Sequence, residues 1–478
     1  MPAATVAARH LSGAANDNCN RKDGTIANSR SRNRRVIPHS EPAGATGGTA
    51  AEIAAERNPL KKAGKILGPG FITGASDDDP SGIGTYAVAG ATLGLQTLWT
   101  ALLTYPLMAA VQNICARLGM VSGQGLAGVL RNHYPRFVLY GAVLLLFAAN
   151  TINVGADLGA IADAVHSLTG VPAVWLVVPV ALGVVALQIF GSYRLIANTF
   201  KWLTLALLAY VVDVFIVQPD LLQTLRATIV PTFSLDPLYV TTLVAILGTT
   251  ISPYLFFWQS SEEVEEEIDM GRTTAKARRG ASPAELRYSA MDVNVGMGFS
   301  NLVMYFIILA TALTLFKAGK TDIKSAADAA EALKPLAGDF AGVLFAAGMI
   351  GAGLLAIPIL SGSAAYAIAE AFGWKYGLDT HWSRAKPFYA VIVLATAIGV
   401  GMNFIGINPI DALFYTAVLN GIVAPPILVL VMLAARNPKV MGDQTIGPLL
   451  TTLGWIATLG MFLALAGLAY TTITSSGG

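Results

Sequence analysis

Apolar runs of about twenty residues recur along this chain from Lys61 onward, separated by short polar interruptions. Each run is long enough to cross the hydrocarbon core of a bilayer as an α-helix. Charged residues make up only 13% of the chain, whereas a soluble domain carries about 25%. The sequence therefore predicts an all-α polytopic membrane protein with about eleven transmembrane helices. Their approximate limits are 67 to 92, 96 to 119, 137 to 165, 172 to 190, 197 to 217, 238 to 261, 290 to 316, 340 to 371, 387 to 404, 409 to 434 and 447 to 472.

Lysine and arginine are unevenly divided between the alternating loops. With the N-terminus placed inside, fifteen of them fall in inner loops and inner span ends, and the outer loops hold only five: Arg226, Lys317, Lys320, Lys324 and Lys334. Cytoplasmic loops characteristically carry the excess of these residues. This predicts a multi-pass protein of the plasma (inner) membrane, with a cytoplasmic N-terminus and an external C-terminus.

Residues 1 to 60 differ in composition from the rest. They are rich in Asn, Arg, Ser, Ala and Gly and lack apolar periodicity, so they cannot bury enough surface to fold. Acidic residues argue against an organelle transit peptide, and no secretory apolar region follows the start. We interpret 1 to 60 as a disordered cytoplasmic tail and 61 to 478 as a transmembrane transporter domain.

The first and sixth spans each contain a proline beside small polar residues at mid-depth. These segments are Asp79-Pro80-Ser81-Gly82 and Thr249-Thr250-Ile251-Ser252-Pro253-Tyr254. Proline removes a helical hydrogen bond and clashes with the preceding turn, so both helices are predicted to be broken. Corresponding interruptions five spans apart indicate a 5+5 inverted repeat, the leucine-transporter-type fold, with its binding site at the midplane. The alternative is a pair of ordinary proline kinks.

The first break contains three consecutive carboxylates, Asp77, Asp78 and Asp79. Each Asp at the bilayer centre costs about 2.5 to 3.5 kcal/mol on insertion scales, so their presence indicates a cation site. Consecutive residues of a helix point about 100° apart. All three carboxylates can therefore share one ion only if the chain is unwound there. Asp79 is the predicted direct ligand, and Asp78 or Asp77 is a predicted outer carboxylate; the alternative for those two is a hydrated cavity wall.

The first span resembles that of the NRAMP divalent-metal transporters. The resemblance is carried by Gly68-Pro69-Gly70-Phe71, by Asp79-Pro80 and by Ala89-Gly90-Ala91, and it extends over roughly residues 61 to 472. Typical members have Asp-Pro-Gly-Asn in helix one and Met-Pro-His in helix six. The resemblance implies a metal held by the aspartate, asparagine and methionine side chains and by a backbone carbonyl.

This chain departs from that pattern at most of the implied ligand positions. Asp79 is kept, but Gly82 replaces the asparagine, Ser252 the methionine and Tyr254 the histidine, while Thr249 stands where an alanine donates its carbonyl. Oxygen ligands suit Mg²⁺ and Mn²⁺, whereas thioether sulfur favours softer ions. The pattern is similar to the NRAMP-related magnesium transporter branch. It predicts a site for Mg²⁺ or Mn²⁺ formed by Asp79, Asp78, Asp77, Gly82, Thr249 and Ser252.

Further polar residues are predicted to line the pathway. Asn150, Asn153 and Asp157 share one face of the third span, and the resemblance places Asp157 on the route by which protons leave. Interhelical hydrogen bonding is the alternative. Tyr254 and Gln259 hold the places of the helix-six histidines, and neither side chain ordinarily exchanges a proton near neutral pH. Facilitated transport without proton coupling is therefore the simpler expectation.

Weaker signals lie elsewhere in the spans. Asn420 is a gate candidate, and the other pathway candidates are Asp213, Asp292, Asn294, Asn301 and Asp411. The acidic run 262 to 267 is predicted to be a solvated helix end, with an inner cation site as the alternative.

Three other functions are weighed against uncoupled metal transport. A proton-coupled Mn²⁺/Fe²⁺ symporter of the typical NRAMP type is the main one. A cation-coupled amino-acid transporter of the same fold is less favoured, because the three acids would repel a substrate carboxylate. No enzyme is expected, since the histidines fall in the tail or near span ends. The expected partners are the divalent metal ion and the lipid bilayer, with no cofactor and no nucleic acid.

Overall fold

The computed structural model describes residues 53, 55 to 58, 61, 66 to 191, 205 to 378 and 380 to 476. These residues form helices and no strand. The predicted tail therefore lies almost wholly outside the described residues, as does the beginning of the predicted fifth span. The helices of eight residues or more are α1 (Pro69–Asp77), α2 (Pro80–Leu93), α3 (Trp99–Ser122), α4 (Leu126–His133), α5 (Arg136–Thr169), α6 (Ala173–Phe190), α7 (Ala209–Val217), α8 (Leu221–Ile229), α9 (Pro237–Thr250), α10 (Pro253–Asp269), α11 (Pro283–Thr311), α12 (Ala341–Phe372), α13 (Lys386–Met402), α14 (Pro409–Ala435) and α15 (Pro448–Ser476).

Seven helical segments in the described part of the chain are long and apolar enough to cross a membrane. The pair α2 and α3, bent by 109° at the break between them, would make an eighth. Shorter apolar helices lie at Ala206–Val217 and Lys386–Met402, where the fifth and ninth spans are predicted. The multi-pass character is thus confirmed, and the count of eleven stays a prediction.

Both predicted helix breaks are present. The first separates α1 from α2 at Asp78 and Asp79, and the second separates α9 from α10 at Ile251 and Ser252. In each case a proline occupies the first position of the second half-helix. Proline suits that position because its missing N–H would have no helical partner there. The breaks are therefore direct consequences of the two proline motifs.

The first half of each broken helix packs closely against the backbone of a neighbouring helix. A side chain at Gly74 of α1 would begin only 2.2 Å from the carbonyl oxygen of Gly296 on α11. A side chain at Gly248 of α9 would begin 2.1 Å from the carbonyl oxygen of Ala417 on α14. Only glycine can occupy a position where two helix backbones lie this close together. These contacts therefore fix where the two breaks lie relative to α11 and α14.

Asp292 of α11 holds the start of α1. Its carboxylate accepts hydrogen bonds from the backbone N–H groups of Gly68 (2.9 Å), Gly70 (2.6 Å) and Phe71 (3.0 Å). A negative charge is stabilised at a helix N-terminus by the unpaired N–H groups and the helix dipole. The predicted pathway candidate Asp292 thus caps a helix in this structure.

Candidate functional site

The carboxylate of Asp79 lies at the first break and is fully buried in protein. One oxygen, Oδ1, accepts hydrogen bonds from the backbone N–H of Gly82 and the hydroxyl of Ser81, both at 2.7 Å. The other oxygen, Oδ2, accepts from the amide of Asn153 on α5 at 3.0 Å. Asp79 is therefore both the N-cap of α2 and the link from the break to α5, which brings two predicted residues, Asp79 and Asn153, together.

Asp77 and Asp78 point to a different neighbour. The hydroxyl of Ser300 on α11 lies 2.6 Å from Oδ2 of Asp77 and 3.2 Å from Oδ1 of Asp78. No group of three or more His, Cys, Asp or Glu side chains in the described part of the chain is placed to hold a metal ion. The three acids therefore do not converge on one point, although the chain is unwound at Asp78.

Three oxygen atoms lie close together beside Gly82. The point where a side chain of residue 82 would begin lies 3.1 Å from Oγ1 of Thr249, 3.3 Å from the backbone oxygen of Asp77 and 3.4 Å from Oδ1 of Asp79. These three oxygens come from both broken helices. A hydroxyl, a carbonyl and a carboxylate are the donor types that Mg²⁺ and Mn²⁺ prefer. The absence of a side chain at Gly82 allows these three oxygens to lie close to the backbone of α2.

Ser252 and Tyr254 flank the second break. The Ser252 hydroxyl points back along α9, 2.8 Å from the carbonyl oxygen of Gly248 and 2.7 Å from that of Thr249. The Tyr254 hydroxyl donates across the breaks to the carbonyl oxygen of Ser76 at 3.0 Å. Tyr254 thus ties α10 to the end of α1, while Ser252 stabilises the unwound end of its own helix.

Asp157 of α5 lies close to the first break. Its side chain is buried, and its two carboxylate oxygens have no hydrogen bond of ordinary geometry among the described residues. Asp79 and the backbone of Ser81 are near enough to interact with it electrostatically. The structure therefore places Asp157 near Asp79, and its role on the pathway stays a prediction.

Gln259 lies away from the breaks, about two turns along α10 from Ser252. Its amide nitrogen donates to Oε1 of Glu263 at 3.0 Å, and the Ser289 hydroxyl donates to the same oxygen at 2.9 Å. The structure thus places Gln259 in a polar group near the middle of α10, among buried glutamates.

The prediction of a solvated acidic run is wrong for most of that segment. Glu262, Glu263, Glu266 and Glu267 each expose 7% or less of their surface, because α10 is enclosed between α3 and α12. Glu267 is paired with Arg272 at 3.0 Å. Charges buried in this way persist when they are hydrogen-bonded or paired, so tertiary packing overrides the local charge pattern.

The remaining amides of the predicted stripe and gate differ in their surroundings. Asn150 donates to the carbonyl oxygen of Leu360 (2.8 Å) and to Ser363 (2.7 Å), both on α12. Its role in this structure is thus the interhelical bonding named above as the alternative. Asn420 is buried on α14, which packs on both α2 and α9. Neither polar atom of its side chain has a hydrogen-bond partner in the described structure, and its role as a gate stays a prediction.

The other weak candidates have structural partners or lie at a helix end. Asp213 accepts from the backbone N–H of Leu336 at 3.0 Å, and Asp411 is exposed in the first turn of α14. Asn294 accepts from Asn113 and Asn301 from Thr104, both across the α3–α11 contact.

Two residues at the break were missed by the sequence reasoning. Ser300 contacts two of the acids, and the buried Tyr86 of α2 lies within electrostatic range of all three. Neither belongs to a motif in the sequence. The one available signal was spacing: Tyr86 lies seven residues after Asp79, two helical turns along α2.

Comparison with known proteins identifies the family to which this chain belongs. The family model of natural resistance-associated macrophage protein-like (Nramp) proteins matches residues 70–471. The divalent metal cation transporter MntH of Deinococcus radiodurans is 27% identical over 416 residues, which are 84% of this chain and 88% of the relative. MntH of Bacillus subtilis is 24% identical over 414 residues, 83% of this chain and 91% of the relative.

Solved structures show the same fold. A crystal structure of the Eremococcus coleocola manganese transporter, in complex with an aromatic bis-isothiourea substituted compound, superposes with a TM-score of 0.70 at 17% identity and covers 91% of both chains. MhsT in complex with L-phenylalanine superposes with a TM-score of 0.57 at 13% identity, over 84% of this chain and 98% of that one. The predicted all-α fold of the leucine-transporter type is confirmed. With a family model that matches most of its length, the chain belongs to the Nramp family.

Proposed function

We propose that this protein moves divalent metal cations, Mg²⁺ or Mn²⁺, across the plasma membrane by alternating access and without proton coupling. One observation carries the proposal: oxygens of Thr249, Asp77 and Asp79, from both broken helices, lie together beside Gly82, each within 3.4 Å of the point where a side chain of residue 82 would begin. Two half-helices that meet at mid-span are the typical location of a transporter binding site. The relatives named as divalent metal cation transporters support the class of substrate.

The chemistry of the donors favours a hard ion that keeps part of its water. None of the predicted ligands carries sulfur, because Ser252 stands where the family has methionine. Mg²⁺ is reluctant to lose water and is commonly held through one or two carboxylates with retained waters. Such an ion fits a site in which no three acidic side chains converge among the described residues.

Uncoupled transport is supported by two side chains of α10. Tyr254 and Gln259 are engaged with Ser76 and Glu263, and neither type of side chain ordinarily exchanges protons near neutral pH. An inside-negative potential would drive a dication inward with about 4.6 kcal/mol per 100 mV, twice the value for one charge. The membrane potential is thus a sufficient driving force in this proposal.

A proton-coupled Mn²⁺/Fe²⁺ symporter is the second candidate. The observation that favours it is Asp157, a buried acid beside Asp79 whose oxygens lack hydrogen bonds of ordinary geometry in the described structure. Such a group is suited to carry a proton. An amino-acid transporter shares the fold, but Asp77, Asp78 and Asp79 would repel a substrate carboxylate at the break.

Uptake into proteoliposomes with an internal pH dye separates the two candidates. We expect Mg²⁺ and Mn²⁺ to enter under an inside-negative potential without acidification of the lumen. Protein-free liposomes serve as the control and measure the passive leak of the ions. Entry of Mn²⁺ with acidification and without Mg²⁺ flux would instead establish the proton-coupled symporter.

Ser252→Met tests the argument from ligand softness. The substitution introduces a thioether and removes the hydroxyl that donates a hydrogen bond to the carbonyl oxygen of Thr249. We expect Cd²⁺ uptake to increase relative to Mg²⁺ uptake by about tenfold, which corresponds to about 1.4 kcal/mol of differential binding. Ser252→Leu, of similar size without sulfur, is the control. An equal Cd²⁺ to Mg²⁺ ratio in both variants would contradict the argument.

A further inference from the structure

Two of the three acids at the first break share one hydroxyl. The Ser300 hydroxyl lies 2.6 Å from Oδ2 of Asp77 and 3.2 Å from Oδ1 of Asp78. A serine hydroxyl has a single hydrogen, so it donates to one carboxylate at a time. Ser300 therefore holds the two side chains together without satisfying both.

The outer oxygens of this pair lack partners. Oδ1 of Asp77 and Oδ2 of Asp78 are buried and make no hydrogen bond in the described structure. None of the ion pairs found there involves either residue. Two adjacent carboxylates buried without a positive neighbour oppose each other's ionisation and are costly to desolvate. A cation bound beside them would allow both carboxylates to stay ionised.

Tyr86 provides an independent indication from α2. Its side chain is fully buried, and its hydroxyl has no hydrogen bond of ordinary geometry among the described residues. Asp77, Asp78 and Asp79 lie within its electrostatic range, and Thr249 is the side chain placed to bond with it, outside ordinary geometry. Buried hydroxyls nearly always have a partner, so the Tyr86 hydroxyl is available to a polar ligand bound beside the acids.

Asp79 has a separate set of partners. Its oxygens accept from Ser81 and Gly82 at the start of its own helix, α2, and from Asn153 on α5. Asp77 and Asp78 accept from α11. The helix break thus directs the three carboxylates toward two different helices.

We propose that Asp77, Asp78, Ser300 and Tyr86 form a second binding position for a hydrated divalent cation, next to the Asp79 position. The proposal rests on the proposed function and adds a second ion to it. Two carboxylates supply the charge, and the retained waters of the ion donate to the carboxylate oxygens and reach the Tyr86 hydroxyl. Mg²⁺ and Mn²⁺ are of the class that binds in this manner.

The test is the number of Mn²⁺ ions bound by the purified full chain, measured by electron paramagnetic resonance with Mg²⁺ as competitor. We expect two ions in the unmodified protein, one in Asp77→Asn/Asp78→Asn and one in Asp79→Asn. Ser300→Ala should weaken binding of the second ion by about tenfold or more, because the two ionised carboxylates lose the hydroxyl that holds them together. Ser361→Ala, which removes another buried hydroxyl bonded to Gln188, should leave both ions in place.

The outcomes separate the second position from the proposed function. One bound ion in the unmodified protein, unchanged in Asp77→Asn/Asp78→Asn, would overturn the second position and leave divalent cation transport intact. No bound Mn²⁺ and no Mg²⁺ competition would overturn both. If the double variant does not fold, the test is the dissociation constant of the second ion in Ser300→Ala. A value equal to that in Ser361→Ala would overturn the proposal.

Discussion

Asp79→Ala should abolish uptake of Mg²⁺ and Mn²⁺, to below about 1% of the unmodified rate. Asp79 contributes a side-chain oxygen to the three atoms nearest the point where a side chain of Gly82 would begin. Removing one partner from a buried charged interaction costs about 3 to 5 kcal/mol, which is a factor of more than a hundred. Uptake of ⁵⁴Mn into proteoliposomes under a fixed potential measures the loss.

The alanine variant also loses a helix cap, so a second variant is needed. The Asp79 side chain caps α2 through the N–H of Gly82, and replacing such a cap by alanine costs about 0.5 to 2 kcal/mol of stability. Asp79→Asn keeps the acceptor oxygen and removes the charge. We expect transport to be lost in Asp79→Asn while the protein remains as monodisperse in detergent as the unmodified chain.

Asp213→Asn is the matched control. Asp213 is also buried, but it accepts from the backbone of Leu336, away from the break. Its asparagine variant should transport at nearly the unmodified rate. The proposed ion position at Asp79 would be contradicted if Asp79→Asn retained uptake. It would also be contradicted if Asp213→Asn lost uptake to the same extent.

The breaks could be predicted from the sequence because their cause is local. Proline cannot donate a helical hydrogen bond, so Pro80 and Pro253 end one half-helix and begin the next wherever the surrounding residues lie. The three acids could likewise be assigned to a cation site because their cost in a bilayer is independent of the tertiary structure.

The partners of those acids could not be predicted, because they depend on which helices meet. Ser300 is an ordinary serine in an apolar span, and only the packing of α1 on α11 brings it to Asp77 and Asp78. The same reason explains the wrong expectation for Glu262 and its neighbours. The composition of a glutamate run indicates a solvent-exposed segment. Other helices enclose α10, however, and bury most of these glutamates.

Gly296→Ala should disrupt both the fold at α1 and transport. The first carbon of the new side chain would lie 2.3 Å from the backbone oxygen of Gly70 and 2.8 Å from Cα of Phe71. These are backbone atoms, which cannot move aside as the end of a flexible side chain can, so α1 must shift away from α11. Overpacking of this kind typically costs 1 to 3 kcal/mol and occasionally more.

The shift would reach the ion position, because α1 ends at Asp77, which contacts α11 again through Ser300. We therefore expect uptake to fall by at least about tenfold in Gly296→Ala, as about 1.4 kcal/mol corresponds to that factor, together with a lower unfolding temperature in detergent. Gly298→Ala is the control on the same helix, since its new side chain would meet nothing closer than the Tyr105 ring at 3.5 Å. If both variants behave alike, helix propensity rather than the α1–α11 approach governs this segment. A loss confined to Gly296→Ala would instead show that the close approach of the two backbones holds the acids in register.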